Sequence, residues 1–153
     1  MAEEINVSQV LGCTCLRLRR TTRRVTQLYD RLLDPVGITA GQFGLLANLA
    51  GLRMTGTDAL PMRALAKRMG LDPTTLNRNL KPLAARGLLA VGADPADKRV
   101  RVVRITDAGR AKLREALPSW QCAQARLDEA LTVEARLALN GLLDLTFVRV
   151  TDE

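Results

Sequence analysis

The chain has 153 residues, 47% of them hydrophobic and 25% charged, with a formal net charge of +7. This is long enough for one domain with a buried core, and the balance excludes an intrinsically disordered chain. The absence of histidine removes the commonest general base and metal ligand, and no apolar run approaches the roughly 20 residues of a membrane span.

The charge is unevenly spread. Residues 62–114 hold thirteen Arg and Lys against four Asp and Glu, whereas residues 115–153 hold three against seven. A basic middle third favours a polyanionic partner, nucleic acid before an anionic membrane. Cys13, Cys15 and Cys122 are odd in number and lack a disulfide-framework pattern, and no signal peptide precedes them. The expected compartment is a reducing cytoplasm.

In chain order, Val7, Leu11, Cys15, Leu18, Val25, Leu28 and Leu32 recur close to a 3.6-residue period and predict a long first helix. It should end near Asp34-Pro35, since the residue before proline avoids helical geometry. Thr39 is the expected N-cap of a second helix with Phe43, Leu46, Ala47 and Ala50 on one face. A loop is expected from Gly51 to Asp58. A short helix then runs from Pro61 to Met69, with Leu65 and Met69 inward and Gly70 suited to a left-handed end.

Asp72 and Pro73 fit the cap and first position of the next helix, which carries Leu76, Leu80, Leu83 and Ala84 inward until Gly87 ends it. Pro82 should kink its last turns. Two short helices joined by a glycine turn constitute a helix-turn-helix signal. Leu88–Val91 and Arg99–Ile105 read as paired strands around an Asp94-Pro95 loop. Val102 and Val103 are adjacent, so a bulge or strong twist is expected between them. Thr106 should cap a helix that Pro118 bends on its way to Leu131, and Thr132 should cap a final one. Both terminal segments are apolar over much of their surface, which pairing with a second copy would cover.

A helix-turn-helix followed by a charged hairpin is a winged helix. The fold expected is therefore mainly α with a small β-hairpin wing, joined to a helical dimerisation region. The expected division is residues 39–106 for DNA binding, with 1–38 and 107–153 for dimerisation. The second helix should enter the major groove and present Thr74, Thr75, Asn77, Arg78 and Lys81, with Arg78 suited to guanine. The wing should offer Lys98, Arg99 and Arg101 to an adjacent groove, with Asp97 bracing the tip or pairing with a neighbour.

The segment Leu60–Gly109 resembles the winged helix of the MarR (multiple antibiotic resistance regulator) family. "LDPTTLNRNLKPLAARGLL" is similar to that family's recognition helix. "DPADKRVRVVRITDAG" is similar to its wing signature, carried by Asp97, Arg99, Thr106 and Gly109. The likeness extends over roughly residues 8–150. It implies a homodimer on a pseudo-palindromic operator, with Arg99 as the minor-groove residue. It also implies a repressor released by a small phenolic or other organic effector.

Other chemistries are set beside that reading. Cys15, with Tyr29 two heptads further along the same face, is a redox candidate, as in relatives that sense organic hydroperoxides. Arg19 stands where that branch would place a tyrosine. Cys13 and Cys122 with Cys15 fall short of a four-ligand metal site, so no metal or cofactor is expected. The Arg17–Arg24 cluster could meet DNA, an anionic effector or the acidic tail of a second copy. An enzyme is not expected, because no phosphate-cradling glycine loop or serine elbow is present. The rival binding class is a non-specific architectural DNA-binding protein.

Overall fold

The computed structural model describes residues 7–52 and 56–150, without the side chain of Gln9. The order is α1 (Val7–Leu11), α2 (Thr14–Leu33), a 3-10 turn (Asp34–Val36), α3 (Ala40–Gly51), β1 (Leu60–Pro61), α4 (Met62–Met69) and α5 (Pro73–Ala85). Then come β2 (Leu89–Ala93), β3 (Arg101–Ile105), α6 (Asp107–Leu131) and α7 (Val133–Arg149). The expected first helix is thus broken at Gly12-Cys13. Asp34-Pro35 ends it by tightening into the 3-10 turn, closed by Gly37 at φ 72°. Residues 53–55 of the expected loop lie outside the described residues, as do the outer ends of the proposed dimerisation region.

Short polar side chains start the helices as the sequence suggests. Thr39 and Gln42 form a reciprocal capping box on α3, which satisfies two otherwise orphaned donors. The Thr75 N–H donates to Asp72 Oδ1 (2.9 Å) at the start of α5. The Gly109 N–H donates to Thr106 Oγ1 (3.0 Å), while the Thr106 hydroxyl donates back to the Gly87 carbonyl (2.7 Å). Gly109 itself has a steric reason. A Cβ there would stand 2.1 Å from the Leu88 carbonyl oxygen, so α6 can approach the residue that leads into β2 only through glycine. This close approach accounts physically for the Thr-x-x-Gly pattern.

The sheet has three strands in the order β1-β3-β2, all antiparallel. The expected hairpin is present, and β1 adds a strand where Pro61 was expected to open the helix and Leu60 carried no assignment. Two residues ending in proline carry too little pattern to announce a strand. The register from Leu89↔Ile105 to Ala93↔Arg101 is unbroken, so no bulge separates Val102 and Val103. Both are buried, at 2% and 0% exposure. The alternation fails because β3 is the central strand and is covered on both faces at that point. α5 continues through Pro82 to Ala85 and α6 through Pro118 to Leu131. Both prolines thus lie inside continuous helices, as the expected kinks rather than breaks require.

One contiguous core gathers Leu45, Leu46 and Leu49 of α3, Leu65 of α4, Leu76, Leu80 and Leu83 of α5, and Val103 and Ile105 of β3. Leu33 of α2 and Ala116 of α6 join the same cluster. The winged helix is thus anchored directly to the flanking helices. α7 contributes no buried residue. Thr132 turns the chain into it at φ 68°, ψ 156°, a conformation costing about 1–3 kcal/mol outside glycine.

Candidate nucleic-acid interface

α5 is positioned by its buried leucines and by its N-terminal cap. With Leu76, Leu80 and Leu83 against the core, the 100° spacing of a helix turns Thr74, Arg78 and Lys81 to the opposite side. All three are exposed. Asn77 is exposed on the flank nearer the wing, where it lines a groove with Arg99 and Arg101. Thr75 departs from the expected set. It is half-buried, and its hydroxyl donates to Asp72 Oδ2 (2.6 Å). It therefore supports the helix cap rather than sharing the exposed face. The Thr75 hydroxyl and N–H together hold the exposed Asp72 carboxyl below its ordinary range, because both donate to its ionised form.

The wing tip is shaped by two aspartates. Asp94 Oδ1 accepts from the Ala96 N–H (2.8 Å), and Asp97 Oδ1 accepts from the Arg99 N–H (3.0 Å). Asp97 therefore braces the main chain at Arg99 and forms no ion pair with it among the described residues. The Lys98, Arg99 and Arg101 side chains are exposed. Sequence reading missed Arg63, in the first turn of α4, which lines the same groove as Asn77, Arg99 and Arg101. The local charge run announced nothing, because Arg63 meets the wing only through the β1–β3 pairing. Arg68, by contrast, is used within the fold, donating from Nε to Asn48 Oδ1 (2.8 Å).

A second feature lies beneath this surface. A cavity of about 690 Å³ opens between α2, α3 and α6, lined by Tyr29, Phe43, Ala47, Leu113, Leu117 and Trp120 among others. Phe43 and Trp120 stack with ring centroids 5.9 Å apart. The Tyr29 hydroxyl donates to Gln124 Oε1, and partial burial raises its pKa above the ordinary tyrosine value. Cys15 and Cys122 are exposed and Cys13 is half-buried. Cys15 is thus not the small core residue its place on the apolar stripe allows. Among the described residues, no cluster of Cys, Asp and Glu could hold a metal ion, and no helix is long and apolar enough to cross a membrane.

Paired helices with a glycine turn, an exposed polar face and a basic antiparallel hairpin define a winged-helix DNA-binding protein. The MarR family model matches residues 36–100. The M. tuberculosis transcriptional regulator MosR, solved in complex with DNA, is 33% identical with a TM-score of 0.74, covering 91% of this chain and 99% of that one. Bordetella bronchiseptica BpsR, solved in a study of how 6-hydroxynicotinic acid regulates its DNA binding, is 29% identical with a TM-score of 0.74. That match covers 92% of this chain and 95% of BpsR. The organic hydroperoxide resistance transcriptional regulator of Bacillus subtilis is 30% identical over 95 residues, 62% of this chain and 61% of that protein. The chain belongs to the MarR family of DNA-binding transcriptional regulators.

Proposed function

We propose that the protein is a homodimeric repressor that binds a pseudo-palindromic operator and is released by a small organic effector. The observation that carries this reading is the shared surface of α5 and the wing. Thr74, Asn77, Arg78 and Lys81 are exposed there beside Lys98, Arg99 and Arg101. Thr and Asn supply hydrogen bonds to base edges or phosphates, and Arg78 supplies a fork that matches guanine. Arg99 enters the neighbouring minor groove, where a narrow groove concentrates negative potential. A regulator of this kind acts in the cytoplasm.

The effector occupies the cavity beside Tyr29 and the Phe43–Trp120 stack. Its walls are largely apolar and aromatic, which suits a flat organic molecule. The likeness to BpsR supports a ligand of that class. The dimer forms through α7 and the N-terminal helices, whose exposed apolar residues include Leu11, Leu16, Leu137 and Leu142. A second copy covers them.

A thiol-sensing reading has its own observation: Cys15 is exposed in the single chain, next to Leu16 on the surface assigned to the dimer. The likeness to the hydroperoxide-resistance regulator supports it over part of the chain. One experiment separates the readings. Binding to the promoter DNA upstream of the gene is measured at fixed salt, with peroxide or with a panel of aromatic acids. Loss on oxidation that a Cys15→Ser variant abolishes selects the thiol sensor. Loss with one compound, indifferent to oxidation, selects the ligand-responsive repressor. In the same assay Arg78→Ala costs about 1–3 kcal/mol and relaxes preference at one base position. Equal binding of all sequences by the wild type would leave an architectural DNA-binding protein.

A further inference from the structure

A groove of about 660 Å³ runs between the start of α4, the flank of α5 and the β3 end of the wing. Three of its lining residues are arginines, Arg63 from α4 and Arg99 and Arg101 from the wing, and Asn77 lines it from α5. No Asp or Glu lines it. All three arginine side chains are exposed, and none forms an ion pair among the described residues. Like charges gathered without a counter-charge repel one another, so the groove is electrostatically incomplete until an anion enters it.

The position of the groove identifies that anion. When α5 lies in a major groove and the wing reaches the adjacent minor groove, one sugar-phosphate strand separates the two grooves. That strand must pass between α5 and the wing, which is where the three arginines stand. The first helix of such a unit also crosses the DNA backbone, and Arg63 is in its first turn. We infer that this groove is the seat of that strand, and that Arg63 is a phosphate-neutralising residue of the interface. Its role is indifferent to sequence. It fixes the angle between α5 and the wing on the duplex, so that Arg78 meets its base pair. This inference rests on the DNA-binding reading above.

The test uses the full-length protein and two duplexes of equal length. One carries the inverted repeat that the wild type selects from random DNA, and the other is a scrambled sequence. Affinities are measured from 50 to 200 mM salt for the wild type, Arg63→Ala, Arg63→Gln and Arg63→Lys, with thermal melting as a check on folding. Arg63→Ala and Arg63→Gln are expected to weaken binding to both duplexes by the same factor, leaving the preference between them unchanged. Each protomer of the dimer then leaves one phosphate unneutralised. The slope of log K against log salt should flatten by about 1.8, at about 0.9 per phosphate. Arg63→Lys should retain the wild-type slope. An unchanged slope in Arg63→Gln overturns the inference, and so does a loss confined to the selected duplex, which would make Arg63 a base-reading residue. If the wild type retains no DNA in the selection, the DNA-binding reading itself is overturned. If it retains DNA without enriching any sequence, the sequence-specific repressor is removed, while the slope test for Arg63 runs unchanged on the scrambled duplex.

Discussion

Leu76, Leu80 and Leu83 of α5 are no more than 3% exposed, whereas Leu139, Leu142 and Leu143 of α7 are 39%, 63% and 40% exposed. Both triplets recur at helical spacing, so local pattern does not separate them. What differs is the rest of the circumference. α5 is polar opposite its leucines, with Thr74, Arg78 and Lys81. α7 adds Leu137, Leu145, Phe147 and Val148 on its other sides. A helix that is apolar all round needs cover on more than one face, and within one chain α7 finds little of it. One region stabilises the chain's own fold; the other leaves its apolar surface uncovered within one chain.

The sharpest way to break this comparison is to make equivalent lesions in each region. Leu83→Ala empties a fully buried site and should destabilise the protein by about 2–5 kcal/mol, including the cavity left behind. Chemical denaturation should register that loss with the slope of the transition unchanged. Leu142→Glu lies on exposed surface and should leave the folded monomer within about 0.5 kcal/mol of the parent. Its effect should appear instead in sedimentation, as a shift from dimer to monomer at micromolar concentration. A Leu142→Glu protein that stays dimeric while melting far lower would place α7 in the monomer core and end the distinction.

The winged-helix lobe was far more legible in the sequence than the outer helices, for reasons visible in particular residues. Asp72, Thr106 and Gly70 act locally, so their types alone mark where α5 and α6 start and where α4 ends. The wing's charge and turn residues are also contiguous. β1 was missed because a two-residue strand has no periodicity and its mark is its pairing with Val102 and Val103. Arg63 was missed for the same reason: the wing arginines that share its groove, Arg99 and Arg101, are far away along the chain. Thr75 is half-buried and bonded to Asp72, because a polar residue next to a cap can turn inward to serve it, and residue type alone does not record that. The cavity draws on α2, α3 and α6 together, and no single stretch of chain records that.

The junction between the two regions allows a finer test. Tyr29 of α2 donates to Gln124 of α6 at the edge of the cavity, tying the two helices together at the wall of the proposed effector site. Tyr29→Phe deletes the donor and keeps the ring, so stability should fall by about 0.5–1.5 kcal/mol. The raised Tyr29 pKa means that the neutral form is favoured on folding. The stability associated with that preference is present below the ordinary tyrosine pKa and is lost as pH rises through the higher folded value. The difference in melting temperature between wild type and Tyr29→Phe should therefore shrink on the alkaline side. A constant difference up to high pH would show that the phenol's proton does not hold the two helices together.

The smallest effect expected lies at the tip of the recognition helix, and it divides the lobe itself into core and cap. The Asp72 carboxyl is held below its ordinary pKa by the Thr75 hydroxyl and N–H. A depressed carboxylate contributes stability above its unfolded pKa, about 3.9, and that contribution disappears as pH falls through the lower folded value. Asp72→Asn keeps a good capping side chain but removes the titration. The wild type should therefore melt slightly above Asp72→Asn at neutral pH, and the two curves should converge below about pH 4. Arg78 and Lys81 lie on the same helix, so the cap also bears on DNA binding. A frayed first turn would move Thr74 before it moved Arg78. Operator affinity of Asp72→Asn measured at neutral pH should consequently fall less than that of Arg78→Ala. An equal fall would mean that the cap, rather than the guanidinium, sets the geometry of the base-reading face.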